Sequence, residues 1–172
     1  MNQDAYSSRN WFVLSAVVVC LDQLSKLAAT HWLEFNNPLP VLPCLNLTLL
    51  YNPGAAFSFL AGATGWQRWF FALLALAVSG YLSRLLRDPN GGSWTYRAGL
   101  GFILGGALGN LIDRVHPGQV IDFIQVYYRS WYFPAFNLAD SAITLGAALF
   151  MLSAFDGRHS PVATKVPRGG VQ

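Results

Sequence analysis

The chain has 172 residues, a length that suits one domain or one compact bundle. Hydrophobic residues make up 53% and charged residues only 11%, well below the roughly 25% of soluble domains, so a polytopic membrane protein is predicted. The net charge of +3 is modest and does not indicate nucleic-acid binding, and two cysteines cannot form a metal site alone. Cys20 and Cys44 are predicted to be free thiols, packed inside the protein.

Four segments are apolar enough to cross a bilayer, which takes roughly 20 residues per helix. They are residues 11–33, 66–86, 97–114 and 138–155, joined by two long loops at 34–65 and 115–137. A cleaved signal peptide is the alternative for the first segment. Asp22 and Lys26 lie where cleavage would require small neutral residues, so this segment is predicted to remain as a helix.

The basic residues sort by side of the membrane. Seven lie beside or beyond one set of helix ends (Arg9, Arg84, Arg87, Arg97, Arg158, Lys165 and Arg168), and three lie on the opposite side (Arg68, Arg114 and Arg129). The positive-inside rule then predicts that both termini are cytoplasmic and that both long loops face outward. The tail at 157–172 is polar and rich in proline and glycine, so it is predicted to be disordered.

The outward loops carry strand and turn patterns. Leu45–Leu49 alternates with period two, Asn52-Pro53-Gly54 is typical of a turn before Ala55–Leu60, and Val120–Tyr128 is rich in β-branched and aromatic residues. An interfacial aromatic belt is predicted from Trp131, Tyr132, Phe133 and Phe136. The predicted fold is therefore an all-α membrane protein with four transmembrane helices and a small extracytoplasmic β element.

The third segment has a glycine face. Gly101, Gly105 and Gly109 recur at spacing four, which is typical of helices whose backbones approach closely in lipid. Close packing would bring the end of this helix, and Asp122 after it, near the fourth helix.

Two acids at the edges of apolar sequence are the strongest chemical feature. Asp122 follows the apolar stretch at 120–121, and Asp140 lies in the first turn of the fourth helix with Asn137 as its N-cap. Two close carboxylates share one proton, so that one can activate water while the other protonates the developing oxyanion. An acid at a helix N-terminus and an unrelated solvated loop acid would give the same pattern.

Other polar residues are candidates for a supporting role. Asp22 and Lys26 are four apart on one helix face, as an intrahelical salt bridge requires, and an ion pair at this depth is also a functional-site hypothesis. Asn110 and Arg114 share a face in the same way. Asp113 is interpreted as an outer-surface acid that points away from Arg114.

Competing chemistries have less support. No His-Glu-x-x-His or Gly-x-Ser-x-Gly motif is present, and the three histidines are scattered, so neither metal nor cofactor is predicted. A small proton-coupled transporter is the alternative function, since Asp22, Lys26 and Asp140 could form a relay. A non-catalytic membrane chaperone is a third possibility.

Five blocks together resemble lipoprotein signal peptidase, also called signal peptidase II. They are Leu-Asp-Gln-Leu-Ser-Lys (21–26), Tyr-Asn-Pro-Gly-Ala-Ala-Phe-Ser (51–58), Gly-Gly-Ala-Leu-Gly-Asn-Leu-Ile-Asp-Arg (105–114), Val-Ile-Asp-Phe (120–123) and Phe-Asn-Leu-Ala-Asp-Ser (136–141). All five occur in the order of that family, over residues 21–141.

The resemblance implies an intramembrane aspartic endopeptidase of the bacterial inner membrane, with its active site near the outer face. Its partners would be diacylglyceryl-modified prolipoproteins, cut before the lipidated cysteine, membrane lipid, and globomycin-type inhibitors. By resemblance, Asp122 and Asp140 are the catalytic pair. Residues implied to line or shape the site are Asn52, Gly54, Asn110, Arg114 and Asn137, and those implied to support it are Asp22 and Lys26.

Overall fold

A computed structural model describes residues 8–54, 65–88 and 91–155. Four helices lie in the order α1 (Ser8–Trp32), α2 (Trp66–Arg87), α3 (Trp94–Val115) and α4 (Leu138–Phe155). Each covers one of the four predicted segments with end shifts of up to three residues. The predicted tail at 157–172 and the Ala55–Leu60 segment lie outside the described residues.

Four strands form one antiparallel sheet in the order β1-β2-β3-β4. Their bounds are β1 (Leu39–Leu42), β2 (Leu45–Asn52), β3 (Val120–Tyr128) and β4 (Trp131–Tyr132). The predicted β-rich stretch at 120–128 is β3 itself. The pairing of β2 with β3 sets Leu50 opposite Asp122 and Asn52 opposite Val120, with an irregularity between Leu47 and Leu50. A loop residue near 52 and an acid near 122 thereby become neighbours.

The helices expose many large apolar side chains, and they bury several charged and polar ones beside an apolar core. On α1, Leu21, Leu24 and Leu27 are exposed, whereas Asp22 and Lys26 are buried. A helix that turns leucines outward and charges inward is arranged for lipid surroundings, because the charges then face the bundle interior.

Three of the described helices, α1, α2 and α4, are long and apolar enough to cross a membrane. The 22-residue α3 is not among them, because five glycines and the charged Arg97, Asp113 and Arg114 dilute its apolar content. Instead, α3 packs against all three other helices and forms the centre of the bundle.

Glycine determines how closely α3 is packed. A Cβ on Gly105 would lie 2.7 Å from Val18 Cβ of α1, and a Cβ on Gly106 would overlap the backbone carbonyl of Ala139 in α4. The predicted close approach of the third and fourth helices is thus present.

Both cysteines are free, as predicted, but they are exposed rather than packed. Cys20 lies on the face of α1 that points away from the other helices, and Cys44 lies in the β1–β2 turn.

Candidate active site

Asp122 lies in β3 with only 3% of its surface exposed, and two side-chain amides hold its carboxylate. Asn52 Nδ2 donates to Oδ2 at 3.1 Å, and Asn137 Nδ2 donates to Oδ1 at 2.7 Å. Asn52 Oδ1 accepts the backbone N–H of Gly54 at 2.9 Å, which fixes the amide so that its NH₂ group faces the acid. Gly54 makes this turn with φ +99°, a conformation that favours glycine.

Asp140 lies in the first turn of α4, and Asn137 is the N-cap, as the sequence predicts. Asn137 Oδ1 accepts the N–H of Asp140 at 2.9 Å, and Asp140 Oδ2 accepts the N–H of Asn137 at 3.3 Å. This is a reciprocal capping box. The partial positive charge of the helix N-terminus attracts the side chain of an acid at this position.

Two asparagines join the acids. Asn110 Nδ2 donates to Asp140 Oδ1 at 2.7 Å, and Asn137 Nδ2, which holds Asp122, also lies 3.2 Å from Asn110 Oδ1. The two carboxylates, 18 residues apart in the chain, therefore meet around one fully buried asparagine, Asn137.

The pKa of Asp122 is far above its ordinary value. Burial raises it, the charge of Asp140 raises it further, and the hydrogen bonds from Asn52 and Asn137 lower it in part, with a result of about 7. One of the two acids thus keeps its proton close to neutral pH.

Behind the acids lies a buried ion cluster. The predicted Asp22–Lys26 pair is present, with Nζ 2.7 Å from Asp22 Oδ2. The interpretation of Asp113 as an outer-surface acid is wrong: only 2% of its surface is exposed, and its Oδ2 lies 2.7 Å from Lys26 Nζ. Gln23, which sequence reasoning missed, donates to both Asp22 and Asp113.

Arg114 lies near the acids, in the last turn of α3. Its Nη1 donates to the backbone carbonyl of Asn110 at 2.9 Å, and its guanidinium lies 5.5 Å from the centre of the Phe71 ring. Arg68 of α2, which the sequence marked only as a charge on the outer side, donates to the carbonyls of Arg114 and Val115 at 2.6 and 2.9 Å. Arg68 therefore ties α2 to the last turn of α3.

The residues that the sequence analysis assigned to the site all lie in or beside this cluster: Asp22, Lys26, Asn52, Gly54, Asn110, Arg114, Asp122, Asn137 and Asp140. Within the described part of the chain, no three His, Cys, Asp or Glu side chains are placed to share a metal ion. The groups present in this cluster are carboxylates, amides, the Lys26 ammonium and the Arg114 guanidinium.

The chain also matches a known protein family. A family model described as signal peptidase (SPase) II matches residues 14–156. The chain belongs to the signal peptidase II family. The resemblance seen in the five sequence blocks is thereby confirmed, and the chain is a peptidase.

Curated relatives and solved structures agree with this membership. The lipoprotein signal peptidase of Polynucleobacter necessarius subsp. necessarius is 51% identical, over 82% of this chain and 86% of the relative. That of Pseudomonas aeruginosa is 47% identical, over 91% of this chain and 94% of the relative. A bacterial membrane enzyme solved by the in meso method at 1.9 Å matches with a TM-score of 0.74 and 29% identity, over 86% of this chain and 94% of that chain.

The chain is a multi-pass protein of the bacterial inner membrane, as its apolar helices and its family indicate.

Proposed function

We propose that this signal peptidase II family member removes signal peptides from prolipoproteins as an aspartic endopeptidase, with Asp122 and Asp140 as its catalytic pair. The observation that carries the proposal is the convergence of these two acids on Asn137. It puts a carboxyl with a pKa of about 7 beside a second carboxylate at a helix N-terminus.

The two acids take different roles. Asp122 holds the shared proton, because burial and the neighbouring charge raise its pKa, and Asp140 is the base. Asp140 accepts a proton from water as the water oxygen attacks the scissile carbonyl, while Asp122 donates its proton to the carbonyl oxygen. When the C–N bond breaks, the proton on Asp140 passes to the leaving amine, and Asp122 regains its own proton from the collapsing intermediate.

The substrate is a lipidated precursor that arrives within the bilayer. We place the scissile bond just before the diacylglyceryl-modified cysteine, at the level of the sheet and the N-terminus of α4. Asn52, Gly54, Asn110, Asn137 and Arg114 surround the acids and would shape the cleft, with the Arg114 guanidinium available to a substrate carbonyl or lipid ester. Globomycin-type peptides would occupy the same cleft.

The proposed membrane arrangement has four spans. We infer that α3 crosses as well, sheltered from lipid by the three more apolar helices, so that both termini are cytoplasmic and the sheet lies at the outer face. Residues 1–156 then form one protease domain, followed by a cytoplasmic tail at 157–172.

The transporter alternative finds no continuous relay along α3 or α4. Along α3 no ionisable side chain occurs between Arg97 and Asp113, a distance of about 24 Å at 1.5 Å per residue, and α4 carries only Asp140. A proton relay needs ionisable groups at all depths.

The deciding experiment replaces each acid by its amide. Asp122→Asn and Asp140→Asn, purified and reconstituted with a diacylated precursor, should bind the precursor but cleave it about 10²–10⁴-fold more slowly, the usual range for a lost acid or base. Glu34→Gln is the matched control, because Glu34 is exposed and bonds only Asn37 among the described contacts. A non-acylated precursor should be cleaved poorly by the unmodified protein.

Cleavage at the unmodified rate by either amide variant would refute the catalytic pair. Loss of activity on adding a chelator would instead point to a metal.

A further inference from the structure

Two buried carboxylates outside the catalytic pair accept hydrogen bonds from the backbone of the residues that precede the two catalytic acids in the chain. Asp22 Oδ1 accepts a hydrogen bond of 2.9 Å from the N–H of Ala139, the residue before the acid of α4. Asp113 Oδ2 accepts one of 3.2 Å from the N–H of Ile121, the residue before the acid of β3. Each catalytic acid thus follows a backbone amide that is fixed to a carboxylate of another helix.

Lys26 links these two carboxylates. Its Nζ lies 2.7 Å from Asp22 Oδ2, 2.7 Å from Asp113 Oδ2 and 3.1 Å from Asn110 Oδ1, so all three ammonium donors have partners. Gln23 Nε2 adds a second link, at 3.1 Å from Asp22 Oδ2 and 3.0 Å from Asp113 Oδ1. One unit therefore connects α1 and α3 to both segments that carry the acids.

The energetics of such a unit favour a geometric role. Lys26, Asp22 and Asp113 are each at most 2% exposed. A buried ion cluster adds little net stability, because the cost of removing charges from water offsets their attraction. Its charge-assisted hydrogen bonds, however, are short and directional, so they fix positions that apolar packing would leave adjustable.

Building on the proposed catalytic pair, we infer that Asp22, Gln23, Lys26 and Asp113, here called the buried clamp, set the placement of one catalytic carboxylate relative to the other. Asp113 is a positioning residue in this unit, since the described bonds of its side chain go to Lys26, Gln23 and the backbone of Ile121. The clamp acts on the chemical step and not on the binding of the precursor.

A graded series at Asp113 and Gln23 tests the clamp. Asp113→Asn keeps an acceptor for the N–H of Ile121 but loses the ion pair, whereas Asp113→Ala loses both. Because a misplacement of about 1 Å can cost about 100-fold in rate, we expect kcat to fall about 10-fold in the first and about 100-fold or more in the second, with KM within about threefold. Gln23→Met removes one bridge without leaving a charge unpaired, and kcat should fall several-fold.

Folding is checked by circular dichroism and size-exclusion chromatography. If Asp113→Ala does not fold, Asp113→Asn and Gln23→Met decide the matter. Folded variants with kcat within twofold of the unmodified value, or with the loss confined to KM, would overturn the clamp. Asp122→Asn is assayed in parallel: if it is inactive, such a result refutes the clamp alone, and if it cleaves normally, the catalytic pair and the clamp fall together.

Discussion

The protonation of one residue, Asp122, governs how the proposed chemistry depends on pH. Its pKa of about 7, against an ordinary 3.8, results first from burial and then from the charge of Asp140. Because the pKa is raised, the acid keeps its proton up to near-neutral pH and loses it above. We therefore expect kcat/KM for a diacylated precursor to fall as pH rises through about 7, measured between pH 5 and 9 with folding verified at each pH.

A variant of Asn52 provides the control for that pH profile. The hydrogen bond from Asn52 stabilises the ionised form of Asp122 and so lowers its pKa. Asn52→Leu should therefore move the alkaline limb to higher pH, in addition to any loss of rate. A limb that moves to lower pH, or an unmodified profile that stays flat to pH 9, would contradict this assignment.

The sequence predicts the role of a residue better when its partner is close in the chain than when its partner is distant. The capping role of Asn137 could be predicted because N-cap and acid are three residues apart. Asp113 could not be placed, because its partner Lys26 is 87 positions earlier on another helix. Adjacent residues on a helix point about 100° apart. That Asp113 points away from Arg114 therefore does not indicate which side chain Asp113 contacts.

Among the elements, α3 determines the geometry of the site through its glycines. A Cβ on Gly106 would collide with the Ala139 carbonyl and would lie 2.7 Å from Ile143 Cγ1. Because the obstacle is backbone, α4 must move away from α3, and Asp140 moves with it. We expect Gly106→Ala to destabilise the protein by about 1–3 kcal/mol, the usual cost of overpacking, and to lower kcat at least tenfold.

Gly80 on α2 is the matched control for that substitution, since a Cβ there meets nothing within 4 Å. Gly80→Ala should leave activity unchanged and stabilise the helix by up to about 1 kcal/mol, because alanine is the better helix former. Thermal unfolding in detergent, followed by circular dichroism, measures both variants. Equal stability and activity in the two would show that the close α3–α4 approach does not matter.

The helices and the strands differ in how well sequence predicts them. Long apolar segments marked all four helices, and the β-branched, aromatic run at 120–128 marked β3. By contrast, β1 contains Pro40 and is exposed along its length. Its sequence lacks the alternation of apolar and polar residues that indicates a half-buried strand. The β2–β3 pairing joins residues 68 to 81 positions apart, and no local pattern specifies such a partner.

For the whole molecule, the remaining question is whether α3 crosses the membrane with the others. The four-span arrangement puts the α2–α3 connection inside and the far end of α3 outside. The exposed Cys44 of the β1–β2 turn is a native probe of the outer side. In a Cys20→Ala variant, where Cys44 is the one cysteine left in the sequence, we expect a membrane-impermeant maleimide to label Cys44 in intact spheroplasts, because the sheet lies at the outer face in this arrangement.

Two single-cysteine variants, built on the double substitution Cys20→Ala and Cys44→Ser, then locate the ends of α3. His116→Cys, at the exposed residue after the helix, should be labelled in intact spheroplasts, whereas Asn90→Cys, between α2 and α3, should be labelled only after permeabilisation. Because Arg84, Arg87 and Arg97 flank that connection, the positive-inside rule favours its cytoplasmic placement. Labelling of positions 90 and 116 from the same side would mean that α3 does not span the membrane. The access of a lipid-anchored substrate to the two acids would then have to be explained in another way.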